Sequence, residues 1–146
     1  MPASATDIAA ALAMLSRCSR QSLYHRFHGY TDGVAYTRSL LSEVPNEENL
    51  LAWRHSNCIA MASIARDEGG AGHLGVLVED GWQRQGIGTR LIRALIGAAR
   101  SRGVTQVHAD ILGEDQFLLR TLRRVGPLRV AIELGTFSVD VDLTAA

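Results

Sequence analysis

Apolar residues recur every three or four positions in several stretches of the chain, which is the spacing of one face of an α-helix. The strongest repeat begins at Gly86 and ends before Gly103, where a glycine cap is expected. Weaker repeats predict helices over 7–16, 31–41 and 115–125.

Runs of apolar and β-branched residues predict the strands of a sheet, over 49–54, 57–66, 73–78, 104–112 and 128–143, the last broken around Gly135. The first two runs are separated by His55-Ser56, which is consistent with an antiparallel hairpin. The order of two helices, three strands, a helix, a strand, a helix and two strands predicts an α/β (α+β) fold with a mixed sheet between helices. Trp53 is expected in the core.

The composition is that of one globular domain over 1–146, since 47% of its 146 residues are hydrophobic and 21% are charged. Residues 1–6 are expected to form a disordered leader. No signal peptide and no run of about 18 apolar residues is present, so we expect a cytoplasmic protein that does not bind a membrane. Cys18 and Cys58 lie far apart and are expected to be free thiols.

The chain contains no lysine, because all 15 of its basic residues are arginines. A P-loop uses a lysine to bind phosphates, a pyridoxal enzyme forms a Schiff base through one, and a kinase holds ATP with one. These three classes of chemistry are therefore excluded.

The charges are unevenly distributed, although 15 acidic residues balance the arginines. The stretch from Gln83 to Arg129 contains nine arginines and three acidic residues, so this half of the chain is suited to attract an anion. The alternative is a pair of solvated helix faces. A nucleic-acid module using the arginines is a further alternative, but the zero net charge of the whole chain does not favour it.

The segment from Gln83 to Thr89 follows a predicted strand and opens the strongest predicted helix. The first N–H groups of a helix lack partners within it, and the helix dipole adds positive potential, so a phosphate group is stabilised there. Gly86 and Gly88 would let the backbone approach a phosphate closely. A dinucleotide-binding G-x-G-x-x-G pattern is excluded because position 91 is leucine.

Gln83, Gly86 and Gly88 resemble the Q-x-x-G-x-G acetyl-CoA signature of the GNAT N-acetyltransferase superfamily. The resemblance covers most of the chain and implies the GNAT fold, a mixed, mostly antiparallel sheet of about six strands flanked by about four helices. The segment 18–29 resembles the opening of the bacterial protein-lysine acetyltransferase (Pat-like) branch.

By this resemblance, acetyl-CoA is the acyl donor and the backbone of Val76, Leu77 and Val78 pairs with its pantetheine arm. The residues expected to hold the pyrophosphate are Arg84, Gln85, Gly86, Ile87, Gly88 and Thr89. Asp115 stands where the family has an asparagine near the pantetheine. Trp82 is expected to cover the base of the phosphate-binding loop.

Transfer to an amine requires the neutral amine, so a proton acceptor is useful. By the resemblance, the base position at the start of the family's fourth strand falls on His73, whose neutral imidazole accepts a proton at pH 7. The alternatives are that His73 only ends a strand, or that Glu79 or Asp80 is the base, although both suit a turn. Many members of the family protonate the leaving thiolate with a tyrosine in the last helix. The predicted last helix of this chain contains no tyrosine, so no general acid is assigned. His25 and His28 have no acidic or cysteine partner beside them, and no metal is expected.

The predicted function is direct transfer of the acetyl group of acetyl-CoA to a primary amine, in the first instance a protein lysine. The alternatives are a small-molecule amine acetyltransferase and a sensor that binds acyl-CoA without turnover. The expected partners are acetyl-CoA or CoA and the amine acceptor, with no nucleic acid, and the chain is expected to be a monomer or a homodimer.

Overall fold

The structure is a computed structural model that describes residues 5–27, 31, 33–41, 47–112, 116–133 and 136–144. Its helices and strands, numbered in chain order, are α1 (Ala5–Arg17), α2 (Arg20–Phe27), α3 (Val34–Leu41), β1 (Glu47–Arg54), β2 (Asn57–Arg66), β3 (Gly72–Val78), α4 (Ile87–Ser101), β4 (Gln106–Leu112), α5 (Gln116–Arg123), β5 (Leu128–Glu133) and β6 (Thr136–Asp142). A short 3-10 helix, Asp80–Trp82, follows β3.

The strands form one sheet in the order β1-β2-β3-β4-β6-β5. Neighbouring strands run antiparallel, except that β3 and β4 are parallel. The expectation of an α/β fold with a mixed, mostly antiparallel sheet of six strands is confirmed. The predicted hairpin is also confirmed, and its turn places His55 in the left-handed region with a φ of 57°.

The two parallel strands separate soon after they begin. Their register joins Gly72 to Val107 and His73 to His108. Beyond these pairs β3 continues to Val78 and β4 to Leu112, and no further pair links the two strands, both of which the structure describes in full. The sheet is therefore split open in its middle.

One face of the sheet is covered by α4 and α5. The apolar stripe of α4 is buried as predicted, and its fully buried members include Ile92, Leu95 and Ala99. These side chains join Leu122 of α5 and Ile64 of β2 in the larger core cluster. Burial of each leucine or isoleucine stabilises the fold by about 1.5–3 kcal/mol, so this stripe fixes α4 against the sheet.

The other face is covered by α1 and α3. Met14 of α1 and Leu41 of α3 pack with Met61 of β2 and Leu77 of β3 in a second core cluster. The α1 helix has an acidic residue in its first turn and Arg17 in its last, which suits the helix dipole. No helix in the described part of the chain is long and apolar enough to span a membrane.

Helix α2 was absent from the predicted elements. It buries none of its residues, so it lacks the apolar stripe that reveals a helix in a sequence. Its start is marked by Ser19, whose Oγ accepts a hydrogen bond from the N–H of Ser22 at 3.1 Å. The sequence therefore contained the N-cap residue of α2 but not the apolar spacing that usually reveals a helix.

Two smaller expectations also differ from the structure. Trp53 is 41% exposed, because β1 is the edge strand and its register shifts between Ala52 and Trp53. The prediction that Trp53 lies in the core was wrong. Ala5 and Thr6 of the expected leader belong to α1, and residues 1–4 lie outside the described residues.

Candidate active site

A cleft of about 670 Å³ opens where β3 and β4 separate. Its walls come from α2, β3, the loop after β3, the first turn of α4, β4 and α5. A volume of this size is typical of small-molecule and cofactor sites. Val76, Leu77 and Val78 line the cleft, as expected from the resemblance. β3 has no β4 partner at these positions, and its backbone groups on that side are available to a ligand, apart from the oxygen of Val78, which accepts a hydrogen bond from Gln83.

The loop that leads into α4 is shaped to bind an anion. Gly86 caps the helix with a φ of 83°, and Arg84 also lies in the left-handed region with a φ of 63°. Left-handed residues in such a loop turn successive N–H groups toward one concave side, which favours anion binding. Gly86 makes no side-chain cap hydrogen bond, so the first N–H groups of α4 are left for a ligand.

The two glycines of the loop are required for different reasons. A Cβ at Gly86 would meet no atom within 4 Å, and the requirement there is the positive φ. A Cβ at Gly88 would lie 2.9 Å from Cζ of Phe117, so this position needs a small residue where α4 approaches α5. Gly86 thus sets the turn of the loop, and Gly88 sets how closely α4 approaches α5.

The first residue of the signature, Gln83, forms hydrogen bonds to β3 and α2. Its Nε2 donates to the backbone oxygen of Val78 and to Oγ of Ser22, both at 2.9 Å. It therefore links the end of β3 to α2, two elements that both line the cleft.

Positive charge surrounds the loop. Arg84 and Arg120 line the cleft, and a neighbouring depression of about 120 Å³ is lined by Arg93, Arg124 and Thr89 among others. These arginines come from the stretch whose charge was noted in the sequence. They supply positive potential for the phosphate groups of a ligand at the start of α4.

The structure brings most of the predicted cofactor residues together. Those that line the cleft are Val76, Leu77, Val78, Arg84, Gly86, Ile87 and Gly88. Thr89 lines the neighbouring depression, and Gln85 points its amide at the backbone oxygen of Gly81 at 3.4 Å. Asp115 lies outside the described residues. Trp82 lines the cleft beside the loop.

The two acidic residues at the end of β3 hold neighbouring elements in place. Glu79 forms an ion pair of 2.6 Å with Arg17, whose guanidinium also donates to the backbone oxygen of Cys58 at 2.7 Å. Asp80 accepts a hydrogen bond from the N–H of Ser19 at 2.8 Å and so anchors the start of α2. Burial raises the pKa of Asp80, but hydrogen bonds from Ser19 and Ser22 outweigh it and leave the pKa below its ordinary value.

His73 lies at the point where β3 and β4 part, outside the residues that line the cleft. Its side chain is half-exposed, and its Nε2 lies 2.9 Å from Oδ2 of Asp67. This hydrogen bond lowers the pKa of the Asp67 carboxyl. The ring of His73 is 5.2 Å from the ring of His108 on the neighbouring strand.

His108 lies between two carboxylates that the sequence reasoning did not single out. Its Nδ1 is 2.9 Å from Oδ1 of Asp140 on β6, and its Nε2 is 2.9 Å from Oδ1 of Asp110 on β4. Burial lowers the pKa of His108, but the hydrogen bonds to Asp140 and Asp110 outweigh it and raise the pKa above its ordinary value of 6.5. The alternation of a strand puts His108 and Asp110 on one face, so the predicted strand 104–112 contained this signal.

Arg26 of α2 and Gly75 of β3 were also missed. A Cβ at Gly75 would collide with the guanidinium of Arg26, so the glycine lets this arginine lie flat against β3 in the cleft wall. Arg26 also lies 3.5 Å from Oγ of Ser63 on β2. A glycine within a strand is the signal that a neighbouring group approaches the backbone closely.

The cysteines and histidines form no other candidate centre in the described part of the chain. Cys18 and Cys58 are free thiols, as predicted. Burial, together with the nearby Asp80 carboxylate, raises the pKa of the Cys18 thiol to about 12, and burial also raises that of Cys58. Such thiols are poor nucleophiles. No group of three or more potential metal ligands is found among the described residues.

Comparison with known proteins agrees with this geometry. A sequence model of the acetyltransferase (GNAT) family matches residues 13–126. No curated protein matches the chain by sequence. Solved structures match it in fold at low sequence identity.

One similar structure is the GNAT domain of S. lividans PAT, with a TM-score of 0.84 and 20% identity over 98% of this chain and 89% of that chain. Another is the ribosomal-protein-alanine N-acetyltransferase from Brucella melitensis, with a TM-score of 0.74 and 19% identity over 98% of both chains. A third is yncA from Salmonella typhimurium with its cofactor acetyl-CoA, at a TM-score of 0.72 and 17% identity over 100% of this chain and 94% of that chain. At these identities the likeness concerns the fold.

Proposed function

The chain belongs to the acetyltransferase (GNAT) family, and we propose that its cleft between β3 and β4 holds acetyl-CoA and delivers the acetyl group directly to a lysine side chain of a protein. As a member of that family it is an acyl-CoA-dependent N-acyltransferase. Acetyl-CoA supplies an acyl carbon activated as a thioester.

The observation that carries this proposal is the separation of β3 from β4 directly beside an anion-binding helix start. A pyrophosphate held at the first turn of α4 lies next to Val78, the last residue of β3. A pantetheine arm that runs back along β3 passes Leu77 and then Val76, whose backbone groups face the side from which β4 has parted and suit the amides of the arm. At about 3.3 Å per residue, three residues of strand bring the thioester roughly 10 Å from Val78, to the level of Gly75.

The residues assigned to the pyrophosphate are Arg84, Gln85, Gly86, Ile87, Gly88 and Thr89. The positive φ of Gly86 and the lack of a Cβ at Gly88 support this assignment, because both leave backbone N–H groups accessible. The side chain of Arg84 adds charge from the cleft wall. Asp115 is assigned to the pantetheine on the resemblance alone.

Transfer needs a neutral amine at the thioester. A lysine amine with a pKa of about 10.4 costs roughly 4–5 kcal/mol to deprotonate at pH 7, so a proton acceptor near the start of β3 increases the rate. His73 is the first candidate for this proton acceptor, on the resemblance, and Asp67 holds its ring through the 2.9 Å hydrogen bond. Its position beside the point where the strands part supports the assignment, although its ring lies outside the cleft lining.

A protein lysine is the proposed acceptor because of the N-terminal part of the chain. The segment 18–29 resembles the opening of Pat-like enzymes, and the fold is similar to the GNAT domain of S. lividans PAT. Helix α2 lies within this segment and contributes Ser22, His25 and Arg26 to the cleft wall, where an acceptor would approach the thioester.

The experiment is acetylation of a panel of lysine-containing proteins and peptides, together with small primary amines, followed by mass spectrometry. The absence of lysine from the chain means that every acetyl-lysine signal comes from the acceptor and none from the enzyme. The expected result is acetylated lysine in one or more peptides with wild-type protein. Acetylation confined to small amines or to α-amino groups would contradict the lysine proposal and leave the acyltransferase assignment in place.

A further inference from the structure

A hydrogen-bonded group that the resemblance does not assign reaches the cleft through Asp110. We define the apical triad as Asp110, His108 and Asp140. The ring of His108 has one carboxylate oxygen at 2.9 Å from each of its nitrogens. Both nitrogens donate at the same time only in the imidazolium form. Two carboxylates and one imidazolium give the triad a net negative charge.

The sheet determines how the triad is oriented. Asp140 is the register partner of His108 across β4 and β6, so its carboxylate is fixed beside the ring. His108 is also the last residue of β4 that pairs with β3 before the strands part. Asp110, two residues further along β4, lies on the same face and lines the cleft with a side chain 53% exposed. The triad thus extends from β6 to the cleft.

The cleft that Asp110 lines also has basic side chains in its walls. Helix α2 contributes Arg26, with His25 beside it in the lining, and α5 contributes Arg120. On the side of β3, the ring of His73 lies 5.2 Å from that of His108. The carboxylate of Asp67 binds His73 in turn.

Asp110 is one of two carboxylates among the described residues of the lining, and the other, Asp80, is engaged at the start of α2. An ammonium group that enters a cleft lined by arginines is repelled except near an anionic group. Asp110 supplies that group at the level of the strand separation. Continuing the register of the two joined pairs puts Asp110 opposite Gly75, the level expected for the thioester, so an amine bound to Asp110 faces the acyl carbon across the cleft.

We propose that Asp110 binds the ammonium group of the acceptor and that His108, held by Asp140, takes up the proton which the amine releases, in place of the first candidate His73, whose ring lies outside the cleft lining. This inference rests on the proposed acetyl-CoA-dependent function. One N–H bond of the ammonium breaks, and the proton passes through Asp110 to a neutral His108. The free lone pair then forms the N–C bond as the C–S bond breaks, and the thiolate leaves with the bonding electrons. The second proton lost by the nitrogen goes to the thiolate or to water.

The proposal has a pH signature. His108 must lose its proton before it takes up another, so kcat/KM for the amine rises as the pH passes the pKa of His108 and then levels off while the amine is still protonated. Without His108 the enzyme depends on neutral amine from solution, whose fraction increases tenfold per pH unit up to about pH 10. The profile of a His108 variant therefore continues to rise where that of the wild type is flat.

The kinetic test uses H108Q, D110N and D110E with the best amine acceptor of the panel. We expect D110N to raise KM for the amine about tenfold or more, since a charge-assisted contact is lost, and D110E to recover part of the effect. H108Q is expected to lower kcat/KM about 100-fold and to lose the level part of the profile. The control is E68Q, an exposed carboxylate in the turn before β3 that is outside the cleft lining. The proposal would be overturned if H108Q and D110N both kept the wild-type pH profile of kcat/KM and the wild-type KM for the amine. It would also be overturned if H73Q, and not H108Q, lost the level part of that profile.

A second readout does not require turnover. The ring signals of His108 are assigned in NMR spectra by their loss in H108Q, and Nα-acetyl-lysine methylamide is added in the presence of CoA. We expect the amine to shift these signals in wild-type protein and not in D110N, because a second cation at Asp110 acts on the His108 ring. Shifts without any acetyl transfer would keep the amine site while rejecting the proposed function. Acetyl transfer with no shift at saturating amine would reject the amine site while keeping the function.

Discussion

Nε2 of Gln83 lies 2.9 Å from the backbone oxygen of Val78 and donates a hydrogen bond to it. The same nitrogen donates to Oγ of Ser22, so one side chain joins the end of β3 to α2. Gln83 is the first residue of the Q-x-x-G-x-G signature. Its role here is to fix the strand end, from which the pantetheine arm would start, relative to the loop that would hold the pyrophosphate.

We predict that Gln83→Glu weakens acetyl-CoA binding about tenfold or more. The substitution removes both donated hydrogen bonds and places a carboxylate against the oxygen of Val78 and near the phosphate groups, and each of these effects costs about 1–3 kcal/mol. Isothermal titration calorimetry measures the change. Gln106→Glu makes the same charge change at an exposed position at the start of β4 and is expected to bind like the wild type. Equal affinities for the two variants would reject the role given to Gln83.

We predict that Gly86→Glu abolishes acetyl-CoA binding without unfolding the protein. The substitution forces a side chain into a φ of 83° and sets a negative charge where the pyrophosphate would lie. The matched control is Gly97→Glu, in an exposed part of the same helix, where a Cβ meets no atom within 4 Å. Calorimetry with acetyl-CoA is expected to show no heat for the first variant and normal binding for the second. Retained binding by Gly86→Glu would show that the loop does not hold the phosphates.

The sequence predicted the elements that carry strong patterns. The stripe of α4 and the apolar runs of β2 and β3 were sufficient for the fold class, because a buried face imposes its spacing on the residues. Helix α2 has no buried face, and Trp53 lies on an edge strand, so burial imposes no pattern on either. The signature predicted a glycine loop at a helix start, and the structure has one there, since that geometry is local to residues 83–89.

The apical triad depends on information that is not local. His108 and Asp140 are 32 residues apart, and only the pairing of β4 with β6 brings them together. The separation of β3 from β4 likewise concerns the pairing of strands that are distant in the chain, and apolar spacing does not encode this. The sequence therefore indicated His73 on its own strand and did not reveal the hydrogen-bonded group on the next one.

We predict that Leu95→Ala lowers the free energy of unfolding by about 2–5 kcal/mol, because Leu95 is fully buried in the stripe of α4 and its truncation leaves a cavity. Ile132→Ala removes a similar side chain that is 70% exposed on β5, and a change within about 0.5 kcal/mol is expected. Urea denaturation followed by circular dichroism measures both. Equal losses for the two variants would contradict the assignment of the core.

We predict that the stabilisation provided by His108 depends on pH with a defined sign. Its folded pKa is raised, so its contribution is fully present below the ordinary value of 6.5 and is lost as the pH rises through the folded value. The difference in free energy of unfolding between wild type and His108→Gln is therefore larger near pH 6 than near pH 9.

Denaturant titrations at a series of pH values measure this difference. The control is His55→Asn, which replaces another histidine at an exposed turn position with a φ of 57° that asparagine tolerates. A difference for His108→Gln that grows with rising pH would reverse the sign and contradict the ion pairs of the triad.

On the proposed function, the cleft binds acetyl-CoA and passes its acetyl group to a primary amine. The most direct measurement is release of the CoA thiol, followed with a thiol reagent, when the protein is mixed with acetyl-CoA and a panel of lysine peptides and small amines. The raised pKa values of Cys18 and Cys58 are expected to keep the protein's own thiols slow to react. We predict thiol release that depends on both the protein and an amine and is lost in Gly86→Glu. The contradicting result is a folded protein that binds acetyl-CoA but releases the CoA thiol no faster than spontaneous hydrolysis with every amine. That result would reject the acetyltransferase activity and favour a domain that only binds acyl-CoA.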